Sequence, residues 1–238
     1  MTDTRWHVAV IIPARNEEVL LPRCLHSVID ACMALPAHVT FDIVVAVDSS
    51  TDATQVMAER LLGTRGLVIT TSAAIVGVTR SLAAQTALSR YCGSLNQCWL
   101  ANTDADCRVP RTWLIDQLAT ASHNVEAIAG TVDVDTFEDH KPGINMLFRN
   151  SYLIHPDGSH PHVHGANLGV RADAYLRAGG WGTHETAEDH DLWNRLEQVG
   201  AAKRSIGNMT VITSGRRVGR APHGFAGALT ALDEAAVC

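Results

Sequence analysis

Cys98-Trp99-Leu100-Ala101-Asn102-Thr103-Asp104-Ala105-Asp106 is an apolar run that stops abruptly at two carboxylates one residue apart. The run reads as a buried strand, and strand interiors exclude unpaired charge because desolvating a carboxylate is costly. Two carboxylates at the strand's C-terminal end therefore need water or a cation. In open α/β sheets that end is also where ligands bind. Oxygen ligands of this kind suit hard divalent ions such as Mg²⁺ or Mn²⁺. The pattern by itself equally fits a solvated loop in which Asp104 or Asp106 makes an Asx turn before Pro110. The surrounding chain has to decide.

Working outward, strand and helix signals alternate. His7–Pro13 is a β-branched apolar run, hence a strand buried on both faces. Pro22 suits the first turn of a helix whose stripe is Leu21, Cys24, Leu25, Val28 and Ile29. Phe41–Val47 is a second strand ending at Asp48, and Ser49-Ser50-Thr51-Asp52 supplies N-cap chemistry for a helix closed by Gly63. Leu67–Thr70 reads as a strand, Gly77–Tyr91 as a helix, Cys98–Asn102 as a strand, and Pro110 opens a helix carrying Trp113, Leu114 and Leu118. Val125–Val134 is a further strand. This rhythm predicts an α/β fold with a largely parallel sheet and helices on both faces.

The second half is less regular. Phe137–His164 reads as a polar loop with one short helix around Ile144–Tyr152, and Ala166–Val170 and Ala172–Ala178 as a strand and a helix ended by Gly179-Gly180. A helix is expected from about Ala187 to Val199, followed by two weak strands, Ser205–Ile206 and Met209–Ile212. No repeat, low-complexity tract or linker interrupts the chain, so one domain over residues 1–238 is expected.

Composition bounds the partners. The 238 residues are 46% hydrophobic, enough for a full core, and the net charge of −6 argues against a general nucleic-acid binder. Lys141 and Lys203 are the lysines among 19 basic residues, a skew towards arginine that suggests a GC-rich genome. The six cysteines form no C-x-x-C pair; Cys24 and Cys98 read as small buried hydrophobes, and reduced thiols fit a cytosolic protein. No signal peptide is evident and no window approaches ~18 uninterrupted apolar residues. A soluble, cytoplasmic protein is expected.

Five features stand at or just after the carboxyl ends of the strands or open a later helix. They are Pro13-Ala14-Arg15-Asn16-Glu17, Asp48-Ser49-Ser50-Thr51-Asp52, Gly77-Val78-Thr79-Arg80, Asp104-Ala105-Asp106 and Glu188-Asp189-His190-Asp191-Leu192. In this order they resemble the nucleotide-sugar-dependent glycosyltransferases of GT-A fold, most closely family 2. The resemblance covers most of the chain. It implies a nucleotide-sugar-binding half over about 1–107 and an acceptor-binding half over about 108–238. It implies that Pro13, Ala14, Arg15 and Glu17 line the nucleotide pocket and that Asp48 stands where members read the base, usually uracil. Members often carry Asp-Asp-Gly-Ser there, whereas this chain has Val47-Asp48-Ser49-Ser50, so UDP- and GDP-linked donors both stay open. Gly77 and Arg80 match the segment approaching base and phosphate. Asp104 would face ribose or metal, and Asp106 would coordinate the metal bridging the diphosphate. His223 would be a third ligand. Asp189, with Glu188 beside it, matches the base of an inverting transfer to a hydroxyl acceptor.

Plainer readings exist beside these. Glu188 and Asp189 suit the first turn of a helix, where acids complement the macrodipole, and Thr186 with Asp189 approximates a capping box. Arg216, Arg217 and Arg220 could close over a diphosphate, since arginine forks match phosphate oxygens, or form a solvated basic face. His155, His160, His162 and His164 are either an acceptor patch or a mobile loop, and Trp181 either an acceptor-side aromatic or core. A sugar-nucleotide nucleotidylyltransferase is the rival enzyme; it would want a Gly-rich basic loop where Pro13-Ala14-Arg15-Asn16-Glu17 stands. A non-catalytic nucleotide-sugar-binding protein is the other rival. The acceptor is open between a lipid-linked intermediate, met by peripheral membrane contact, a small metabolite and an envelope precursor.

Overall fold

The computed structural model describes residues 6–219 and 224–235. The elements in chain order are β1 (His7–Ala14), α1 (Leu21–Met33), β2 (Thr40–Asp48), α2 (Thr54–Leu62), β3 (Leu67–Thr71), α3 (Val76–Arg90), β4 (Cys98–Asn102) and α4 (Trp113–Ala121). They continue with β5 (Ala127–Val134), α5 (Ile144–Ser151), β6 (Leu168–Arg171), α6 (Ala172–Arg177), α7 (Glu188–Gln198), β7 (Lys203–Thr213) and α8 (Phe225–Ala235).

The central strands are apolar on both faces because both faces are covered, and their side chains alternate between two cores. Val8, Val10 and Ile12 of β1, Ile43 and Val45 of β2 and Trp99 of β4 pack on α1, α2 and α4 through Leu21, Leu25, Leu62 and Trp113. Ala9 and Ile11, Val44 and Ala46, and Cys98 and Leu100 point the other way. They meet Ala83, Ala84 and Ala87 of α3 and Leu192 and Leu196 of α7. The alanines of α3 let that helix lie close on the sheet, which matters because α3 carries Arg80.

The sheet has seven strands in the order β3-β2-β1-β4-β6-β5-β7. β1 pairs in parallel with both β2 and β4, and β2 with β3. The chain thus leaves β1 towards β2 and β3, then returns to place β4 on its other side. That reversal opens a crevice at the carboxyl ends of β1 and β4, where Arg15–Glu17 and Asp104–Asp106 emerge. The sheet is mostly parallel, as expected, with one exception. β6 runs antiparallel to both β4 and β5.

One expectation is corrected. The segments Ser205–Ile206 and Met209–Ile212 form one strand, β7, whose register against β5 shifts between Gly130 and Thr131. A bulge there interrupts the apolar alternation and hides the continuity. The tail after Thr213, to which no element was assigned above, contains α8, which packs Leu229 against Val134 and Phe148. Cys24, Cys32, Cys92, Cys98 and Cys107 are free thiols. Among the described residues no helix is long and apolar enough to cross a membrane.

Candidate active site

The crevice is a cavity of about 540 Å³. Pro13, Ala14, Arg15, Glu17, Asp48, Arg80, Asp104, Asp106, Glu188 and Asp189 all line it. Gly77 stands behind the lining and permits a close approach: a Cβ there would meet the Gly182 carbonyl oxygen at 2.4 Å and the Glu188 Cβ at 3.2 Å. Arg217 does not join them. It pairs with Asp233 of α8 and donates to the Asp139 carbonyl at 3.2 Å, while its neighbour Arg216 reaches the cavity. Arg220 and His223 lie outside the described residues.

Loops after β1 and β2 are clamped to each other. The Glu17 N–H donates to Thr54 Oγ1 at 2.7 Å, Asn16 N–H to Ser50 Oγ at 3.0 Å, and Thr51 N–H to Asn16 Oδ1 at 2.8 Å. Asn16 and Ser49 take left-handed backbone, with φ of 52° and 51°, which turns both loops sharply at the strand ends. Asp48 is buried and fully engaged. Its Oδ2 accepts from the Thr79 hydroxyl at 2.8 Å, and its Oδ1 from Ser49 Oγ at 2.9 Å and Ala74 N–H at 3.0 Å. The aspartate thereby fixes the segment that leads into α3.

Arg80 is the central cation, only 2% exposed. Its Nη2 donates to Asp104, its Nε lies 3.6 Å from Glu188 Oε1, and the guanidinium sits 5.2 Å from the centre of the Trp181 ring. Gly165 closes the other side: a Cβ there would come within 2.6 Å of Nη2. Burial opposes the Arg80 charge, but Asp104 and Glu188 outweigh it and the net shift is upward. Burial raises Glu188 above the usual carboxylate range, with Arg80 pulling against it. Trp181 thus serves as the aromatic face under a buried cation.

Asp106 is pushed up to about 6, first by burial and then by Asp104 and Glu17, against the opposing pull of Arg216. Its Oδ2 lies 2.9 Å from Arg216 Nη2, and the Cys107 thiol lies 3.6 Å from its Oδ1. Ligand atoms of Asp104, Asp106 and Cys107 fall within 4.8 Å of one another. Burial, with Asp106 and Asp104, drives the Cys107 thiol well up, and hard divalent ions prefer the carboxylate oxygens of the cluster to its sulfur. Around the cavity stand the carboxylates of Glu17, Asp48, Asp104, Asp106, Glu185, Glu188 and Asp189 against the guanidinium groups of Arg15, Arg80 and Arg216. Acidic excess and hard oxygen donors fit a divalent cation of the Mg²⁺ or Mn²⁺ kind.

Asp189 faces the same space from the start of α7. Ala187 takes left-handed backbone, with φ 58°, and turns the chain into the helix. No side chain caps this N-terminus, so the Thr186–Asp189 capping box is not formed. Instead Asp189 Oδ2 accepts from Gly165 N–H and Oδ1 from His190 N–H, both at 2.8 Å. The carboxylate is oriented by backbone, not by a cap.

Alternate histidines stack beside it. His160, His162 and His164 follow one another with ring centres 5.9 and 6.1 Å apart, and Tyr152 lies 4.0 Å from His162. Val132 N–H donates to the Tyr152 oxygen at 3.0 Å, and the Tyr152 hydroxyl and His164 Nε2 share a hydrogen bond at 2.8 Å. Burial pushes His164 down to about 4 against the attraction of Asp189, which favours the neutral ring. His155 stands apart and exposed. Tyr152 and Thr79 were not singled out by sequence. The H-x-H-x-H spacing does carry the ladder, since alternate residues of an extended segment share a side.

A mixed sheet with an acidic crevice at its switch point is the architecture of GT-A glycosyltransferases. Residues 9–177 match the family described as "Glycosyl transferase family 2", and the chain belongs to that family. A search of curated proteins by sequence finds no match. Among solved structures, S. aureus TarS 1–349 in complex with UDP-GlcNAc superposes with a TM-score of 0.67 at 15% identity, over 92% of this chain and 61% of that one. The mannosyltransferase PcManGT from Pyrobaculum calidifontis, in complex with GDP-Man and Mn²⁺, gives 0.64 at 20% identity, over 96% and 70%. A mycobacterial protein gives 0.57 at 16% identity, over 95% and 71%. The chain spans only about 61% of the length of the TarS fragment.

Proposed function

We propose that this chain transfers a sugar from a UDP- or GDP-linked donor to a hydroxyl acceptor, with Mg²⁺ or Mn²⁺ as cofactor and inversion at the anomeric carbon. One observation carries the reading. A single buried guanidinium, Arg80, ties Asp104 at the end of β4 to Glu188 at the start of α7, so the D-x-D pair and Asp189 open on one cavity. A diphosphate is itself anionic, and carboxylates lining that cavity outnumber guanidinium groups. Such a ligand enters only with a counter-cation.

When bound to Asp106 and Asp104, that cation would act as a Lewis acid on the charge developing at the leaving phosphate. The remaining work falls to the chain. Pro13, Ala14, Arg15 and Glu17 line the nucleotide side, with Asp48 and Thr79 fixing the loop above it. Asp189 takes the proton of the attacking hydroxyl, its orientation set by Gly165 N–H at 2.8 Å. His164, held neutral, sits beside it without a competing charge. A site serving one base and one displacement inverts. The PcManGT complex contains GDP-Man and Mn²⁺, and TarS binds UDP-GlcNAc, which supports the donor class while leaving the base open.

The test is a panel of UDP- and GDP-sugars scored by thermal shift with and without Mn²⁺, followed by turnover of the best donor. Asp189→Asn should cut turnover by about 10²–10⁴-fold while donor affinity stays near wild type. Full turnover in that variant removes Asp189 from the base role. A panel without any stabilising donor refutes the whole reading.

A further inference from the structure

Two arginines divide the acidic cluster, and the division is unequal. Arg80 is 2% exposed and enclosed by Trp181 and Gly165. Arg216 follows the end of β7 with its side chain 22% exposed. It forks onto Glu17, Nη1 to Oε2 at 2.9 Å and Nη2 to Oε1 at 2.7 Å, and Nη2 also reaches Asp106 Oδ2 at 2.9 Å. One guanidinium thus holds an oxygen of the more buried D-x-D carboxylate. A divalent cation coordinated by Asp106 would meet that guanidinium as a like charge at close range.

The backbone beneath Arg216 is fixed on both sides. Gly215 N–H donates to Asp135 Oδ1 at 2.9 Å, the Gly215 carbonyl accepts from His140 Nε2 at 2.7 Å, and Arg217 is tied to Asp233. A rearrangement at this position would therefore fall on the Arg216 side chain. We infer that Arg216 is a counter-cation built into the site: it neutralises Asp106 and Glu17, yields Asp106 to an arriving divalent ion, and then turns its fork to the donor's diphosphate. Arg216 so couples entry of the cation to capture of the phosphates, as a positioning residue. This rests on the donor-site reading above.

The experiment measures Mn²⁺ binding from the free-ion paramagnetic resonance signal, on wild type, Arg216→Gln and Arg216→Lys, with no nucleotide present. UDP and GDP binding is then measured by calorimetry with saturating Mn²⁺, and melting in EDTA confirms folding. The inference expects Arg216→Gln to bind Mn²⁺ alone at least tenfold more tightly than wild type, yet the nucleoside diphosphate at least tenfold more weakly. Arg216→Lys keeps the charge but loses the planar fork that grips Glu17 at two points while reaching Asp106, so it should fall between, and it decides the matter if the glutamine variant fails to fold. Unchanged or weaker Mn²⁺ binding, with nucleoside diphosphate still bound by wild type, overturns the role of Arg216 and leaves the donor site standing. Failure of wild type to bind either nucleotide with Mn²⁺ overturns the donor site, and this inference with it.

Discussion

Replacing Arg80 by methionine keeps an unbranched, apolar stem but removes the guanidinium that lies on Trp181 and between Asp104 and Glu188. Breaking a buried ion pair costs about 3–5 kcal/mol, because the surviving charge stays desolvated. Here the lower end applies, for two reasons. The Asp104 side chain is 36% exposed, so water takes part of its charge. Glu188, at 10%, already sits above the usual carboxylate range through burial, and without Arg80 it rises further and takes up a proton. A loss of about 3 kcal/mol lowers the melting temperature by about 6–12 °C in a chain of this size. The sign of its pH dependence follows from Glu188. A folded-state pKa raised above the unfolded value means that the folded variant binds a proton the unfolded chain does not. Stability then falls as pH rises between the two values, and the loss is complete above the folded one. The deficit of Arg80→Met against wild type should therefore be larger at pH 8 than at pH 5, read by thermal melting in EDTA. An equal deficit at both pH values, or one below about 1 kcal/mol, would show that Arg80 is not compensating buried charge.

Asp106→Asn removes the more buried carboxylate of the D-x-D pair while keeping its volume. Calorimetry should then show loss of the Mn²⁺-dependent part of nucleoside diphosphate binding; retained dependence would leave Asp106 a loop residue. His164 gives a second pH signature. Its folded value near 4 lies below the ordinary 6.5, so the stability it represents is fully present above pH 6.5 and is lost as pH falls through 4. That amounts to up to about 3 kcal/mol. His164→Gln, which can still hydrogen-bond the Tyr152 hydroxyl, should flatten the decline in melting temperature over that interval; an unchanged slope would assign the acid sensitivity elsewhere.

The first half of the fold was legible because two signals coincide in it. Runs such as Val8–Ile12 and Ile43–Val47 are long enough and β-branched enough to be strands buried on both faces, and each gives way to polar or charged residues where the sheet ends. The same coincidence exposed the site, since Glu17, Asp48, Asp104 and Asp106 all lie where apolar pattern gives way to charge. The second half lacks it. β7 is broken in sequence by Gly207-Asn208, over which its register against β5 shifts, and α8 is an alanine- and glycine-bearing segment whose partners, Val134 and Phe148, are far away in the chain. Arg216 and Arg217 could not be told apart because they follow a strand end in irregular backbone, where no period assigns a side. Only tertiary partners separate them, Glu17 and Asp106 for one and Asp233 for the other.

Those partners also explain why a cavity so rich in acid folds at all. Each aspartate of the D-x-D pair is joined by one arginine to one glutamate from another element: Asp104 through Arg80 to Glu188, and Asp106 through Arg216 to Glu17. In the first bridge the guanidinium is buried against Trp181, and its loss would leave Glu188 as an uncompensated buried carboxylate. In the second the guanidinium is more exposed, 22% against 2% for Arg80, and it is the one inferred above to move when a cation arrives. On that inference, stability and ligand entry fall to different arginines. A site built this way can lose one bridge to its ligand without losing the geometry that the other maintains.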